Sequence, residues 1–157
     1  AAVLGNGSVC GLVVGSGELD QKMRREVEER RLPVRFTGFL NQREIGRAYA
    51  ASGALVLPSD WGETWGLVVN EAMLFGRPAL VSDRVGCGPD LVVNGKTGFI
   101  VPFGDAEVLA SRMVQLAKMG SEREDLGRNA RTVILELSPA RGASATIAAA
   151  RLAMENG

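Results

Sequence analysis

Glu63 and Glu71 stand eight positions apart in the stretch Pro58-Ser59-Asp60-Trp61-Gly62-Glu63-Thr64-Trp65-Gly66-Leu67-Val68-Val69-Asn70-Glu71-Ala72-Met73. An ionised carboxylate only accepts hydrogen bonds, and it can take both hydroxyls of a vicinal diol. The segment from Trp65 to Phe75 predicts a helix stopped by Gly76 and Pro78. With its start near Gly66, Glu71 falls in the second turn, roughly 7 Å along the axis at ~1.5 Å per residue. Glu63 precedes the helix, beside backbone N–H groups that have no intrahelical acceptor. Those groups and the helix dipole favour a bound anion such as a diphosphate. Gly66 would let a ligand approach the main chain closely. A nucleotide sugar has this layout of ribose diol, diphosphate and sugar hydroxyls. The plainer alternative makes Glu63 a charge at the helix start and Glu71 a solvated surface carboxylate.

Composition narrows the chemistry further. Histidine is absent from the 157 residues, which removes His-based general-base catalysis and most zinc sites from this chain's own side chains. Lys+Arg and Asp+Glu both count 18, so the basic excess of a nucleic-acid binder is missing. Hydrophobic residues at 46% suit a folded globular chain. No run approaches the ~20 apolar residues of a membrane-spanning helix, and the start carries no charged-then-apolar leader pattern. Cys10 and Cys87 lie far apart in sequence, which suits a reducing, cytoplasmic setting better than a disulfide framework.

Short β-type runs alternate with amphipathic stretches along the chain. Val9–Val14 reads as a strand ended by Gly15-Ser16-Gly17. A helix follows from about Glu18, with Leu19, Met23 and Val27 on one face, up to Pro33. Val34–Thr37 is a second strand closed by Gly38. Asn41 and Glu44 have capping-box spacing for a helix running to about Ser52. Ala54–Leu57, Ala79–Ser82 and Gly98–Val101 are three further strands, with a short helix near Pro89–Val93. Asp105 caps a helix ending at Gly120, Ser121 with Glu124 reads as another capping box, and Ser138-Pro139 opens an alanine-rich helix. Alternation of this kind predicts an α/β domain with a parallel sheet covered on both faces. Ligands in such folds bind beyond the carboxyl ends of the strands, which selects the loops after Val14, Thr37, Leu57 and Ser82.

Three loop features carry two readings each. Gly15-Ser16-Gly17 lacks the third glycine of a dinucleotide fingerprint and a Walker lysine; it is either the rim of a nucleotide site or a structural turn. Cys87, between Gly86 and Gly88, reads as a small loop residue more readily than as a reactive thiol, because no histidine stands by to activate it. Trp61 and Trp65 either wall a sugar pocket or pack the loop.

The stretch around Glu63 resembles the C-terminal, donor-binding domain of GT-B-fold retaining glycosyltransferases of the family 4 type (glycosyl transferases group 1). The resemblance rests on Pro58-Ser59, Glu63, Trp65-Gly66 and Glu71-Ala72-Met73, and on Gly76-Arg77-Pro78, the Gly86–Asp90 loop and Thr97-Gly98. Val13–Gly17 and Val34–Gly38 match the family's earlier strand-loop units, and the whole spans roughly Val9 to Ala117. It implies a Rossmann-like three-layer domain, with a core at about 9–120 and C-terminal helices at 121–157. It implies that Glu71 binds the ribose hydroxyls and that Glu63, the candidate catalytic residue, holds donor-sugar hydroxyls. Backbone N–H groups around Gly66, Leu67 and Val68 would approach the phosphates. The base would lie near Phe39 and Leu40, and Gly15, Gly17 and Trp65 complete the donor-binding candidates. No metal or other cofactor is expected, since the nucleotide sugar is a substrate.

The resemblance also implies parts not found in these residues. One is an N-terminal acceptor-binding domain. The other is a first strand whose loop carries Arg and Lys to neutralise the diphosphate; only Ala1–Ser8 precede Val9, without a basic residue. Without that strand two others would face a gap, to be filled by a neighbouring chain, a rearranged terminus or a changed strand order. The expected function is therefore that of a donor-binding part of a hexosyltransferase-type retaining enzyme, inactive alone and completed by the acceptor domain or a partner chain. Homo-oligomerisation is left open, as is a membrane-peripheral location of a full-length cytoplasmic enzyme. The alternative is a non-catalytic α/β nucleotide-binding or assembly module that pairs with another chain.

Overall fold

The computed structural model describes residues 9–155. Ala1–Ser8, where the absence of a basic residue was noted, lie outside the described residues. The elements run β1 (Gly11–Val14), α1 (Asp20–Glu29), β2 (Val34–Gly38), α2 (Gln42–Ala51), β3 (Leu55–Leu57), α3 (Leu67–Leu74), β4 (Ala79–Ser82), α4 (Gly88–Leu91), β5 (Gly98–Val101), α5 (Ala106–Lys118), α6 (Ser121–Glu136) and α7 (Pro139–Glu155).

Every strand pairing is parallel. β1 pairs with β2, while β3, β4 and β5 form a second ladder in that order. Leu55 stands opposite Ala79, and Ala79 opposite Gly98. The two ladders are not hydrogen-bonded to each other among the described residues, so β1 and β3 each leave one edge unpaired. That is the break expected of a sheet whose middle strand is not among them, with the sequence order on either side unchanged.

Packing is uneven across that break. β4 is buried at all four positions, and its alternating side chains feed two clusters. Ala79 and Val81 face Val69 and Met73 of α3, Leu91 of α4, and Ala130 and Ile134 of α6. Leu80 faces Phe99 and Val101 of β5, Leu116 of α5 and Leu126 of α6. The β1–β2 half is looser. No residue of α1 is buried, and Leu19, Met23 and Val27 border an apolar cleft of about 450 Å³ with Val13, Val34 and Phe36.

Two of the three caps expected from the sequence form. The Asn41 side chain accepts from the Arg43 and Glu44 N–H groups while Glu44 accepts from the Asn41 N–H, a complete capping box. Asp105 caps α5 through the Val108 N–H at 2.9 Å. The box expected of Ser121 and Glu124 does not form. Gly120 takes the cap position and Ser121 already lies inside the first turn, which leaves its hydroxyl no route back to the third N–H. α7 is exposed from Ala140 to Glu155, and no helix among the described residues is long and apolar enough to cross a membrane.

Candidate functional site

The acidic stretch begins where β3 ends. The Asp60 carboxylate accepts from the Gly62 N–H at 3.0 Å, and the Asp60 carbonyl accepts from the Glu63 N–H at 3.0 Å. These two bonds wind Asp60–Glu63 into a tight turn. The loop after β4 then locks against it. Gly86 N–H donates to the Glu63 carbonyl at 3.3 Å and Cys87 N–H to the Trp65 carbonyl at 2.8 Å, while the Ser82 hydroxyl bonds the Ser59 carbonyl. Glu63 is half-buried, and its carboxylate has no hydrogen-bond or ionic partner among the described residues.

Gly66 caps α3 in the left-handed region, φ 96° and ψ 56°, a conformation that costs a residue with a Cβ. Its buried backbone also sits where a Cβ would stand 3.0 Å from Val85 Cγ1 and 3.4 Å from Cys87 Sγ. The Val69 N–H folds back to the Gly66 carbonyl at 2.8 Å. The N–H groups of Gly66, Leu67 and Val68 find no acceptor among the described residues. The start of α3 thus carries donors without an acceptor among the described residues, three positions on from Glu63 in the chain. Trp65 stands against the same helix, its indole N–H donating to Asn70 Oδ1 at 3.0 Å.

Glu71 is half-buried on α3, and its Oε2 accepts from the Tyr49 hydroxyl at 2.7 Å. It is therefore tied into the structure, unlike a freely solvated carboxylate. Phe39 and Leu40 directly precede the Asn41 cap of α2, and Phe39 is 79% exposed. The Gly15 N–H donates to the Gly38 carbonyl at 2.8 Å, which holds the Gly15–Gly17 loop beside Phe39. The candidate residues thus form two groups, Gly15, Gly17, Phe39 and Leu40 after β1 and β2, and Glu63 to Glu71 after β3. Both follow the carboxyl ends of parallel strands, and α2 starts at the first group. Neither the apolar cleft under α1 nor a polar pocket of about 270 Å³ bordered by Arg77, Arg123, Arg128 and Arg131 includes any of the acidic pair.

Several contributors escaped the sequence reading. Tyr49 gives one usable signal: it falls four residues after Ile45 on the inward side of α2, and a buried tyrosine needs a partner for its hydroxyl. The part Arg77 plays gives none, because its acceptors on Tyr49 and Ala50 are brought in by the fold. Arg84 stacks over the Trp61 ring at 5.6 Å and over the Phe103 ring at 4.2 Å, so Trp61, although 72% exposed, is backed by a cation on one side.

Comparison with known proteins bears on the family and the fold. Sulfoquinovosyl transferase SQD2 of Arabidopsis thaliana is 41% identical over 103 residues, 64% of this chain and 20% of that protein. Sucrose-phosphate synthase of Thermosynechococcus elongatus superposes with a TM-score of 0.74 at 26% identity, over 92% of this chain and 38% of that one. HepE of Anabaena, solved in complex with UDP-glucose, gives a TM-score of 0.69 at 25% identity, over 80% and 36% of the two chains. The chain spans between 20% and 33% of the length of the first three curated relatives it matches. It has the α/β fold of the C-terminal half of GT-B glycosyltransferases. With residues 8–133 matching the family as a whole, the chain belongs to the glycosyl transferases group 1.

Proposed function

We propose that this chain forms the donor site of a retaining glycosyltransferase, binding a nucleoside-diphosphate sugar whose sugar the whole enzyme moves to an acceptor with retained anomeric configuration. The observation that carries the reading is the start of α3, where Gly66, Leu67 and Val68 hold free N–H groups between Glu63 and Glu71. Oriented N–H donors in a water-poor site stabilise negative charge as it develops on a leaving diphosphate. Glu71 then takes the ribose diol, Glu63 the hydroxyls of the donor sugar, and Phe39 with Leu40 the base. Family membership supports sugar transfer, and the UDP-glucose held by the HepE neighbour supports a nucleotide-sugar donor. Because the chain spans only part of its relatives, transfer is proposed for the whole enzyme, completed by an acceptor-binding domain. The 157-residue chain alone should bind donor with negligible turnover.

Titration of the chain with UDP-, GDP- and ADP-glucose tests this. One of the three should bind, and Glu71→Ala should weaken it by about tenfold or more, as expected for losing a hydrogen bond to a charged acceptor. Turnover by the isolated chain at rates typical of intact enzymes, ~1–1000 per second, would contradict the division of labour. A second reading, a non-catalytic nucleotide-binding or assembly module that pairs with another chain, draws on the unpaired edges of β1 and β3. It predicts that Glu71→Ala leaves every ligand affinity where it was.

A further inference from the structure

A side-chain hydrogen bond joins α2 to the acidic stretch, from the Tyr49 hydroxyl to Glu71 on α3. Tyr49 is 7% exposed and is the one residue of α2 that is buried. Its main chain is pinned as firmly as its hydroxyl. The Tyr49 carbonyl accepts from Arg77 Nε at 3.0 Å and from the Ser52 hydroxyl at 2.9 Å. Arg77 also reaches the Ala50 carbonyl at 2.9 Å. The ring packs against Phe75, with centroids 5.7 Å apart. The phenol is thus delivered to Glu71 from a fixed point. Burial first, then the hydrogen bond to Glu71 and that residue's charge, raise the Tyr49 pKa above its ordinary value, so the hydroxyl keeps its proton and remains a donor.

The consequence falls on the carboxylate. A glutamate head rotates broadly about its last torsion and, left alone, offers either oxygen to a ligand. Here Oε2 is taken by Tyr49, and Oε1 has no partner among the described residues. We infer that Tyr49 is a positioning residue that fixes the Glu71 carboxylate so that Oε1 meets the ribose hydroxyls, and that it thereby sets the site's preference for ribonucleotides over deoxyribonucleotides. The inference rests on the reading of Glu71 as the ribose-binding group. A preorganised acceptor binds more tightly because less motion is lost on binding, and the gain exists only for a ligand that carries the hydroxyls. A purely structural tie between α2 and α3 would affect ligands with and without them alike.

The experiment is calorimetric titration of the full chain with UDP, GDP or ADP, whichever binds most tightly, and with its 2′,3′-dideoxy analogue. Tyr49→Phe keeps the ring and its packing on Phe75, and thermal unfolding verifies that it folds. Wild-type protein should prefer the ribonucleotide by about tenfold or more. Tyr49→Phe should lose about half or more of that preference on a logarithmic scale while binding the dideoxy analogue as wild type does, and Glu71→Ala should lose it all. If Tyr49→Phe keeps the full preference, or weakens both ligands equally, while Glu71→Ala abolishes it, the positioning role is wrong and the reading of Glu71 survives. If Glu71→Ala also keeps the preference, or the wild type binds no nucleoside diphosphate, the reading of Glu71 fails and the inference with it.

Discussion

Cys87 lies with no solvent exposure beneath the start of α3, its Sγ 3.9 Å from the Gly66 carbonyl. Burial, with smaller contributions from the charges of Glu63 and Asp90, pushes its thiol up to about 11 from an ordinary 9.0, against an opposing backbone hydrogen bond. A reactive thiol needs the opposite environment, so the structure favours the reading of Cys87 as a small residue that fills the loop. Since the folded chain holds this proton more tightly than the unfolded one, the stability involved is complete below pH 9 and is lost as pH rises through about 11. Melting temperature should therefore fall over that interval, and less steeply in Cys87→Ala; identical slopes would exclude Cys87 as a source. In the native protein a thiol reagent should modify exposed Cys10 well before Cys87. At the neighbouring Gly66, Gly66→Ala should lower stability by about 1–3 kcal/mol in urea unfolding through left-handed backbone strain and contact with Val85. These residues were legible in unequal measure. The sequence marks Gly66 for close approach of a ligand rather than for its left-handed backbone, and the Tyr49–Glu71 bond joins residues 22 apart, which no local pattern encodes.

Among the elements, those set by neighbouring residues could be read directly. β4 and β5 begin and end at the expected residues, because Pro78 and Gly98 mark their starts and every side chain between is apolar or small. The α2 cap formed because Asn41 and Glu44 need only each other. α3 starts two residues later than the run from Trp65 suggested, since Trp65 is held outside the helix by Cys87 and Asn70. Looseness under α1 was not legible at all. Leu19, Met23 and Val27 repeat with helical spacing whether or not a second layer closes on them. Where α6 meets the turn after α3 the fit is tight, and a Cβ at Gly127 would stand 2.0 Å from the Gly76 carbonyl. Gly127→Ala should therefore destabilise by about 2–3 kcal/mol, as a lower urea midpoint. Gly142→Ala on exposed α7, with nothing within 4 Å of its Cβ position, should raise helix content with little change in that midpoint. Equal effects at the two positions would mean that the contact of α6 with that turn is not as close as described.

Across the whole molecule, stability is concentrated on one side of the break between β1 and β3. β4 is paired on both edges and buried on both faces, while β1 and β2 are half-covered. Amide hydrogen exchange should accordingly be slowest in β4 and fastest among the strands in β1 and β2; uniform protection would mean that the β1–β2 half is covered by something beyond the described residues. Alternating strands and helices sufficed to predict the layered parallel fold, and the family's motifs led to its place in GT-B enzymes. What neither could supply is how the loops after β1 and β2 and the acidic stretch after β3 share one ligand. A crystal structure of the chain soaked with the nucleotide sugar that binds most tightly settles that point most directly. Ribose on Glu71, diphosphate against the N–H groups of Gly66 to Val68 and sugar hydroxyls on Glu63 are the predicted arrangement. A ligand seated in the apolar cleft under α1 or among the arginines beside α6, with both carboxylates untouched, would contradict it.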